Sequence, residues 1–117
     1  MTLTLTPELL AHAYDYLCAH PPFLKMNMPH SEDVKFIVIN KSDRFAHYQL
    51  VDGVHNIAVS RRFVGRHIML LSTLSHEMAH LYMQQNCIVG RDAHGKGFQK
   101  LADRICKFHP EFDRLNF

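Results

Sequence analysis

Residues Arg66 to Asn86, RHIMLLSTLSHEMAHLYMQQN, carry the most informative pattern of this chain. Its apolar residues recur with the period of an α-helix, which predicts one long helix over these positions. His76 and His80 lie roughly opposite the centre of the apolar face, so we expect them to point away from the core and towards a cleft. The apolar face itself consists of Leu70, Leu71, Leu74, Met78, Leu81 and Tyr82.

The pattern His76-Glu77-x-x-His80 has the spacing of a metal site on a helix. Histidines four residues apart project from one face, so both rings can reach one metal ion. Glu77 is turned by about 100° around the helix, which favours contact with a water on the ion over ligation. This arrangement is typical of metal-dependent peptidases, and chance would give it in so histidine-rich a chain with a probability of only roughly 3%. The metzincin version of the pattern is excluded by Met83 and Asn86.

A third ligand has to come from outside this helix. His94 is the preferred candidate, because it follows a loop signal at residues 89–92 and stands where a new helix is predicted to begin. Asp92 remains an alternative ligand, or a residue that orients a histidine, and Glu111 is a further alternative. His109 is interpreted as a histidine at the C-terminal end of the last helix, where a cation is favourable.

An HExxH motif in a long helix, a loop, and then His-Gly-x-x-Phe at residues 94–98 resembles the SprT-like (Spartan-type) zinc metallopeptidases. The resemblance covers roughly residues 34–108. It implies a zincin-like fold that holds one Zn²⁺ ion per chain. It also implies three zinc ligands and one catalytic base, which are His76, His80, His94 and Glu77. Members of the family cleave proteins that are bound or crosslinked to DNA.

The chain departs from the family in one respect. Many members carry a C-terminal zinc ribbon with paired CxxC motifs, whereas Cys18, Cys87 and Cys106 are far apart and form no such pair. The function that the resemblance implies is a zinc-dependent endopeptidase with Glu77 as general base, acting on DNA-associated or DNA-crosslinked proteins. The alternatives are a non-catalytic zinc-binding interaction module with the same fold, and a hydrolase of a non-protein substrate.

Length and composition predict a single domain over residues 1–117. A hydrophobic content of 47% and an aromatic content of 10% are ordinary for a globular domain. The net charge of +2 argues neither for nor against a nucleic-acid partner. The N-terminus lacks the basic stretch of a secretory signal, and no apolar run is long enough to span a membrane. Because unpaired cysteines suit a reducing compartment, we expect a soluble cytoplasmic protein.

The strongest local signal outside the long helix is Asp52-Gly53, because glycine tolerates the positive φ of a two-residue type I′ hairpin turn. We expect an α+β, zincin-like fold with an N-terminal helix, a three-stranded, mainly antiparallel sheet, the HExxH helix and a C-terminal packing helix. An edge strand could pair with an extended peptide, although the sequence does not tell which strand is the free edge. The predicted elements are a helix from Thr6-Pro7 to before Pro21-Pro22, a loop over residues 20–33, strands at Val34–Ile39, Phe45–Val51 and Val54–Ser60, and a last helix at Gly95–Phe108.

Several residues are candidates for a second donor to the tetrahedral oxyanion of peptide hydrolysis. Tyr48, His55 and Arg91 carry suitable donors but have no positional signal that ranks them. Tyr82 is an unsuitable candidate, because it falls on the helix face away from the two histidines of the motif.

A basic stripe on one face of the last helix is the second candidate for function. Its members follow helical spacing and could contact phosphates, which predicts weak, sequence-independent DNA binding. The alternative is an ordinary solvated helix face, interrupted by Asp103. The sequence gives no indication of the oligomeric state. The stripe consists of Lys96, Lys100, Arg104 and Lys107, and a second basic cluster before the HExxH helix consists of Arg61, Arg62 and Arg66.

Overall fold

A computed structural model describes residues 4–41, 45–62, 67–86, 94–114 and 117. Three helices and a three-stranded sheet form an α+β arrangement. Within the described residues, no helix has the length and apolar character needed to cross a membrane. The elements are α1 (Pro7–Cys18), β1 (Val34–Ile39), β2 (Ala46–Val51), β3 (Val54–Ser60), α2 (His67–Gln85) and α3 (Lys96–Phe108).

The start of α1 follows from its first residues. The Thr6 hydroxyl oxygen accepts a hydrogen bond from the backbone N–H of Leu9 at 3.1 Å, and Pro7 occupies the first helical position, where no N–H is needed. The segment that follows α1 was predicted as a loop, and it contains two short 3₁₀ turns at Phe23–Lys25 and Ser31–Asp33. The Tyr14 hydroxyl holds this segment against α1 by donating to the Pro29 carbonyl at 2.6 Å.

The sheet is mixed, so the prediction of a mainly antiparallel sheet was wrong. Its strand order is β1-β3-β2, with β3 antiparallel to β2 and parallel to β1. The hairpin between β2 and β3 was predicted correctly, because Asp52 and Gly53 have φ values of 51° and 77°, as a type I′ turn requires. The strand β3 lies at the centre of the sheet, and its residues Ile57, Ala58 and Val59 are buried. On the side away from β2, β3 pairs with β1, which is not joined to it by a hairpin.

The helices place the core on one face of the sheet. On the sheet side, α1 packs against β1, where the rings of Tyr14 and Phe36 lie 5.4 Å apart, and α2 packs against β2 and β3. On its other side α2 packs against α3. From the strand order, β1 and β2 are the edges of the described sheet, and α2 packs against its β2 side. The buried residues that α2 and α3 bring to the core are Leu70, Leu74, Met78, Ala79, Leu81, Phe98, Leu101, Ala102 and Ile105.

Candidate metal centre

Two helices bring three histidines together. The long helix α2 begins and ends within one residue of the predicted range, because burial of its apolar face fixes its register against the sheet. His76 and His80 stand one turn apart on α2, with ring centroids 4.9 Å apart. His94 lies two residues before the start of α3, and the packing of α3 against α2 brings its ring to 4.8 Å from that of His80 and 5.2 Å from that of His76.

The three Nε2 atoms form a nearly equilateral triangle. The separations are 3.2 Å for His76 and His80, 3.0 Å for His80 and His94, and 3.3 Å for His76 and His94. Three corners of a tetrahedron with Zn–N bonds of about 2.0–2.1 Å lie about 3.3–3.4 Å apart, so one ion fits in front of the three rings. Among the described residues, these histidines form the only group of at least three metal-binding side chains that could hold an ion.

The protonation state of His80 suits metal binding. Burial, together with the neighbouring charges of His76 and His94, lowers the pKa of His80 to about 4. Phe98 contributes to the burial of His80, because its ring stacks on that of His80 with centroids 4.6 Å apart. A neutral imidazole is the form that binds a metal. In the sequence, Phe98 stood out only as the last residue of the His-Gly-x-x-Phe motif, and no contact with His80 was predicted.

Glu77 lies beside the triangle. Its Oε2 is 3.9 Å from Nε2 of His76, and the residue is only 5% exposed. Burial raises the pKa of this carboxyl to about 8, because water no longer solvates the charged form. The sequence predicted the orientation of Glu77 towards the metal site but gave no sign that the carboxylate would be buried.

A cavity of about 330 Å³ opens next to Glu77 and His76. It lies between the start of β2, the sheet-facing side of α2 and the segment that follows α3. The sequence did not predict that the segment after α3 would form a wall of the cavity. Glu111 was expected only as an alternative metal ligand, and the C-terminal end only as a polar segment. The lining residues are Phe45, Ala46, Met69, Ser72, Thr73, His76, Glu77, Glu111, Phe112 and Asp113.

The other predicted site residues that the structure describes lie outside the histidine group. The Tyr48 hydroxyl and Nδ1 of His55 are 2.6 Å apart, so these two oxyanion candidates contact each other, and neither lines the described cavity. Glu111 lies with its Oε1 3.5 Å from Nδ1 of His109, outside the histidine group. His109 ends α3, as predicted, and its ring stacks on Phe112 at 5.0 Å. Asp92 and Arg91 fall outside the described residues.

The basic stripe is exposed. All four of its side chains stand on the solvent side of α3, and Asp103, which interrupts the stripe, forms an ion pair of 2.8 Å with Arg114. Arg61 and Arg62 are also exposed, while Arg66 falls outside the described residues.

Comparison with known proteins places the chain in a family. A search of curated proteins finds no significant match to this chain. The family model described as the SprT-like family matches residues 23–115. The match begins in the segment between α1 and β1 and extends past α3, so it includes the cavity wall at residues 111–113 as well as the three histidines. Because it covers most of the sequence, the chain belongs to the SprT-like family.

Proposed function

We propose that this protein is a zinc-dependent endopeptidase. The proposal rests on one observation: the Nε2 atoms of His76, His80 and His94 form a triangle beside an open cavity. The buried carboxyl group of Glu77 lies next to this triangle, with its Oε2 3.9 Å from Nε2 of His76. Three neutral imidazoles suit Zn²⁺, and three protein ligands leave one tetrahedral position for water or substrate. A structural zinc site would instead use four protein ligands, and it would have no need of a neighbouring base. Both features argue against the alternative of a non-catalytic zinc-binding module.

In the proposed reaction a water attacks the carbonyl carbon of the scissile peptide bond. A bound zinc ion would lower the pKa of that water and polarise the carbonyl. A cation bound at the three histidines would also favour the ionised form of Glu77, whose carboxylate accepts the proton of the attacking water and then delivers it to the nitrogen of the leaving amine. Because Glu77 is only 5% exposed, its side chain is shielded from bulk water.

The substrate chain would bind along the β2 edge. Phe45 and Ala46, at the start of this strand, line the cavity next to Glu77, and β2 is an edge of the described sheet. An extended peptide that pairs with β2 gains backbone hydrogen bonds without the need for a particular sequence. One of its side chains would enter the cavity, whose walls include Met69 and Phe112, so a large apolar side chain is favoured there.

A substitution that fills the cavity should change the substrate preference. We expect Ala46→Phe to lower kcat/KM for peptides with leucine or phenylalanine next to the scissile bond by about tenfold or more relative to alanine peptides, since even one methylene in an apolar pocket is worth roughly 10–200-fold. The measurement is a set of peptides that differ only at this position. Gln49→Phe, which adds the same ring to an exposed position of β2, is the matched control. An unchanged preference in Ala46→Phe would show that the cavity takes no substrate side chain.

The natural substrates that we propose are DNA-associated or DNA-crosslinked proteins. Family membership suggests this class, and the exposed stripe Lys96, Lys100, Arg104 and Lys107 supports it, because the interrupting charge of Asp103 is compensated by Arg114. A cytoplasmic location belongs to the same proposal, and the free thiols of Cys18 and Cys106 are consistent with it. Metal analysis of the purified protein, followed by protein digestion with and without DNA, tests the proposed function directly.

Binding to DNA should be weak, independent of sequence and strongly dependent on salt. Four phosphate contacts predict a slope of roughly −3 to −4 for log K against log salt concentration. Replacing Lys100 and Arg104 by glutamate should abolish binding, as measured by fluorescence anisotropy over a salt series. The control is Lys25→Glu with Lys35→Glu, which changes the net charge equally at exposed positions outside the stripe. If the wild type retains no DNA even at low salt, the stripe is a solvated helix face and targeting depends on a partner.

A further inference from the structure

His94 is held differently from the other two histidines. His76 and His80 are half-buried on α2, whereas His94 is exposed and precedes the first residue of α3. The position of its ring therefore depends on what holds the backbone at the start of α3. One side chain does so, because the Nε2 amide group of Gln99 donates to the His94 carbonyl oxygen at 3.1 Å.

The orientation of the Gln99 amide is set by Arg114. A guanidinium group carries only donors, so the Gln99 atom that faces it has to be the acceptor Oε1. Arg114 Nη2 donates to this oxygen at 2.6 Å and to the Gln99 backbone carbonyl at 3.2 Å. With Oε1 turned to Arg114, the amide nitrogen is turned to His94. Arg114 is itself anchored by its Nε, which donates to Asp103 Oδ1 at 2.8 Å.

Arg114 belongs to the segment after α3, which forms one wall of the cavity. Phe112, two residues earlier, lines the cavity beside Glu77, and the ring of Phe117 lies 5.7 Å from that of His76. The backbone N–H of Phe117 donates to the Arg114 carbonyl at 3.2 Å. One side chain thus links the histidine before α3 with the segment that forms a wall of the cavity.

We propose that Arg114 and Gln99 are positioning residues of the metal centre: Arg114 orients the Gln99 amide, and Gln99 fixes His94 as the third ligand. This inference rests on the metal site of the proposed function. Neither residue touches the metal or the substrate. Their effect should therefore appear first in metal affinity and in the geometry of the bound ion, because groups that orient ligands typically contribute about 10–100-fold to metal affinity.

The most informative variant is Gln99→Glu. A carboxylate can still accept from Arg114, and this hydrogen bond becomes charge-assisted, so the contact between α3 and the C-terminal segment is kept. The carboxylate of this variant cannot donate to the His94 carbonyl oxygen, so two hydrogen-bond acceptors would face each other there. We expect the metal-free variant to unfold at a temperature no lower than the wild type, yet to bind Zn²⁺ about tenfold more weakly in a competition with a chromophoric chelator. The visible spectrum of the Co²⁺-substituted protein should change as well.

Two further variants complete the test. Gln99→Leu removes both hydrogen bonds and should weaken Zn²⁺ binding at least as much as Gln99→Glu, while Arg114→Lys, which offers one flexible donor group, should show an intermediate loss. Lys25→Ala removes an exposed cation outside both this network and the basic stripe and should leave the affinity and the Co²⁺ spectrum unchanged. Should Gln99→Leu fail to fold, Gln99→Glu and Arg114→Lys still decide the question.

The outcomes separate this inference from the proposed function. If the wild type binds Zn²⁺ and both Gln99 variants bind it with unchanged affinity and an unchanged Co²⁺ spectrum, the positioning role is wrong and the metal site stands. A loss of affinity that follows the unfolding temperature across all variants would likewise overturn it, since the network would then only stabilise the fold. A wild-type protein that binds no metal would overturn both the inference and the proposed function.

Discussion

Replacing Glu77 by glutamine should leave zinc binding and the fold intact and reduce peptide hydrolysis by about 10²–10⁴-fold, the usual cost of removing a general base. The amide has the same size as the carboxyl group and can accept a hydrogen bond from water, but it cannot take up the proton. Because Glu77 is 5% exposed, an uncharged group is at least as favourable in its place. The unfolding temperature of the metal-free protein should therefore not fall. The measurement is kcat with an unstructured protein substrate, at equal zinc content.

The matched control is Glu32→Gln, the same chemical change at an exposed position in a 3₁₀ turn. It should keep full activity and zinc content. A second control, a preparation of wild type stripped of metal and reloaded, shows that the activity belongs to the metal form. Substantial hydrolysis by Glu77→Gln, measured against a blank purified in the same way, would contradict the role of Glu77. A wild type that holds zinc but cleaves no protein would favour the non-catalytic module or a non-protein substrate.

The helices and the hairpin could be predicted because the information for them is local. The apolar period of residues 66–86 and the hydroxyl of Thr6 each act within a few residues. The turn at Asp52-Gly53 is equally local, and it fixes the register of β2 against β3 without help from the rest of the chain. The structure confirms all three predictions, with differences of one residue at the ends of α2.

The place of β1 could not be predicted in the same way. Its β-branched run indicates a strand, but no short-range signal states which edge it joins or in which direction. In the structure Val34 pairs with His55 and Ile39 with Ser60, in parallel register, so β1 and β2, which are consecutive in the chain, lie on opposite sides of β3. The outcome depends on long-range burial of β3 at the centre of the sheet, which the pattern of one strand does not encode.

In the candidate site, too, the sequence predicted what short motifs encode and did not predict contacts between distant residues. The sequence predicted three histidines and one glutamate from two short motifs, and the structure brings these four side chains together. It did not predict the contacts of Phe98 or the cavity wall at Phe112. It also missed the contact of Arg114 with Gln99, 15 residues earlier in the chain. Contacts of this kind follow from how the segment after α3 folds back, and no local pattern reports that.

Replacing His94 by alanine should sharply weaken zinc binding while α2 and its two histidines remain in place. The wild type should hold about one zinc per chain, since one three-histidine site is available. Loss of a direct ligand should cost more than the roughly 10–100-fold that loss of a ligand's outer partner costs, so the variant should lose its zinc to a chelator that the wild type resists. The measurement is zinc content after dialysis, together with affinity from chelator competition.

The fold of the variant should survive, because His94 is exposed and α3 is anchored through the buried Phe98, Leu101 and Ile105 rather than through the histidine. His12→Ala is the matched control, since it removes an exposed imidazole from α1, far along the chain from the motifs. It should retain the full zinc content. Stoichiometric zinc with unchanged affinity in His94→Ala would show that the assignment of the third ligand is wrong. In that case Asp92 or Glu111 would have to supply it, and Asp92→Asn and Glu111→Gln, each combined with His94→Ala, would identify which carboxylate binds the ion.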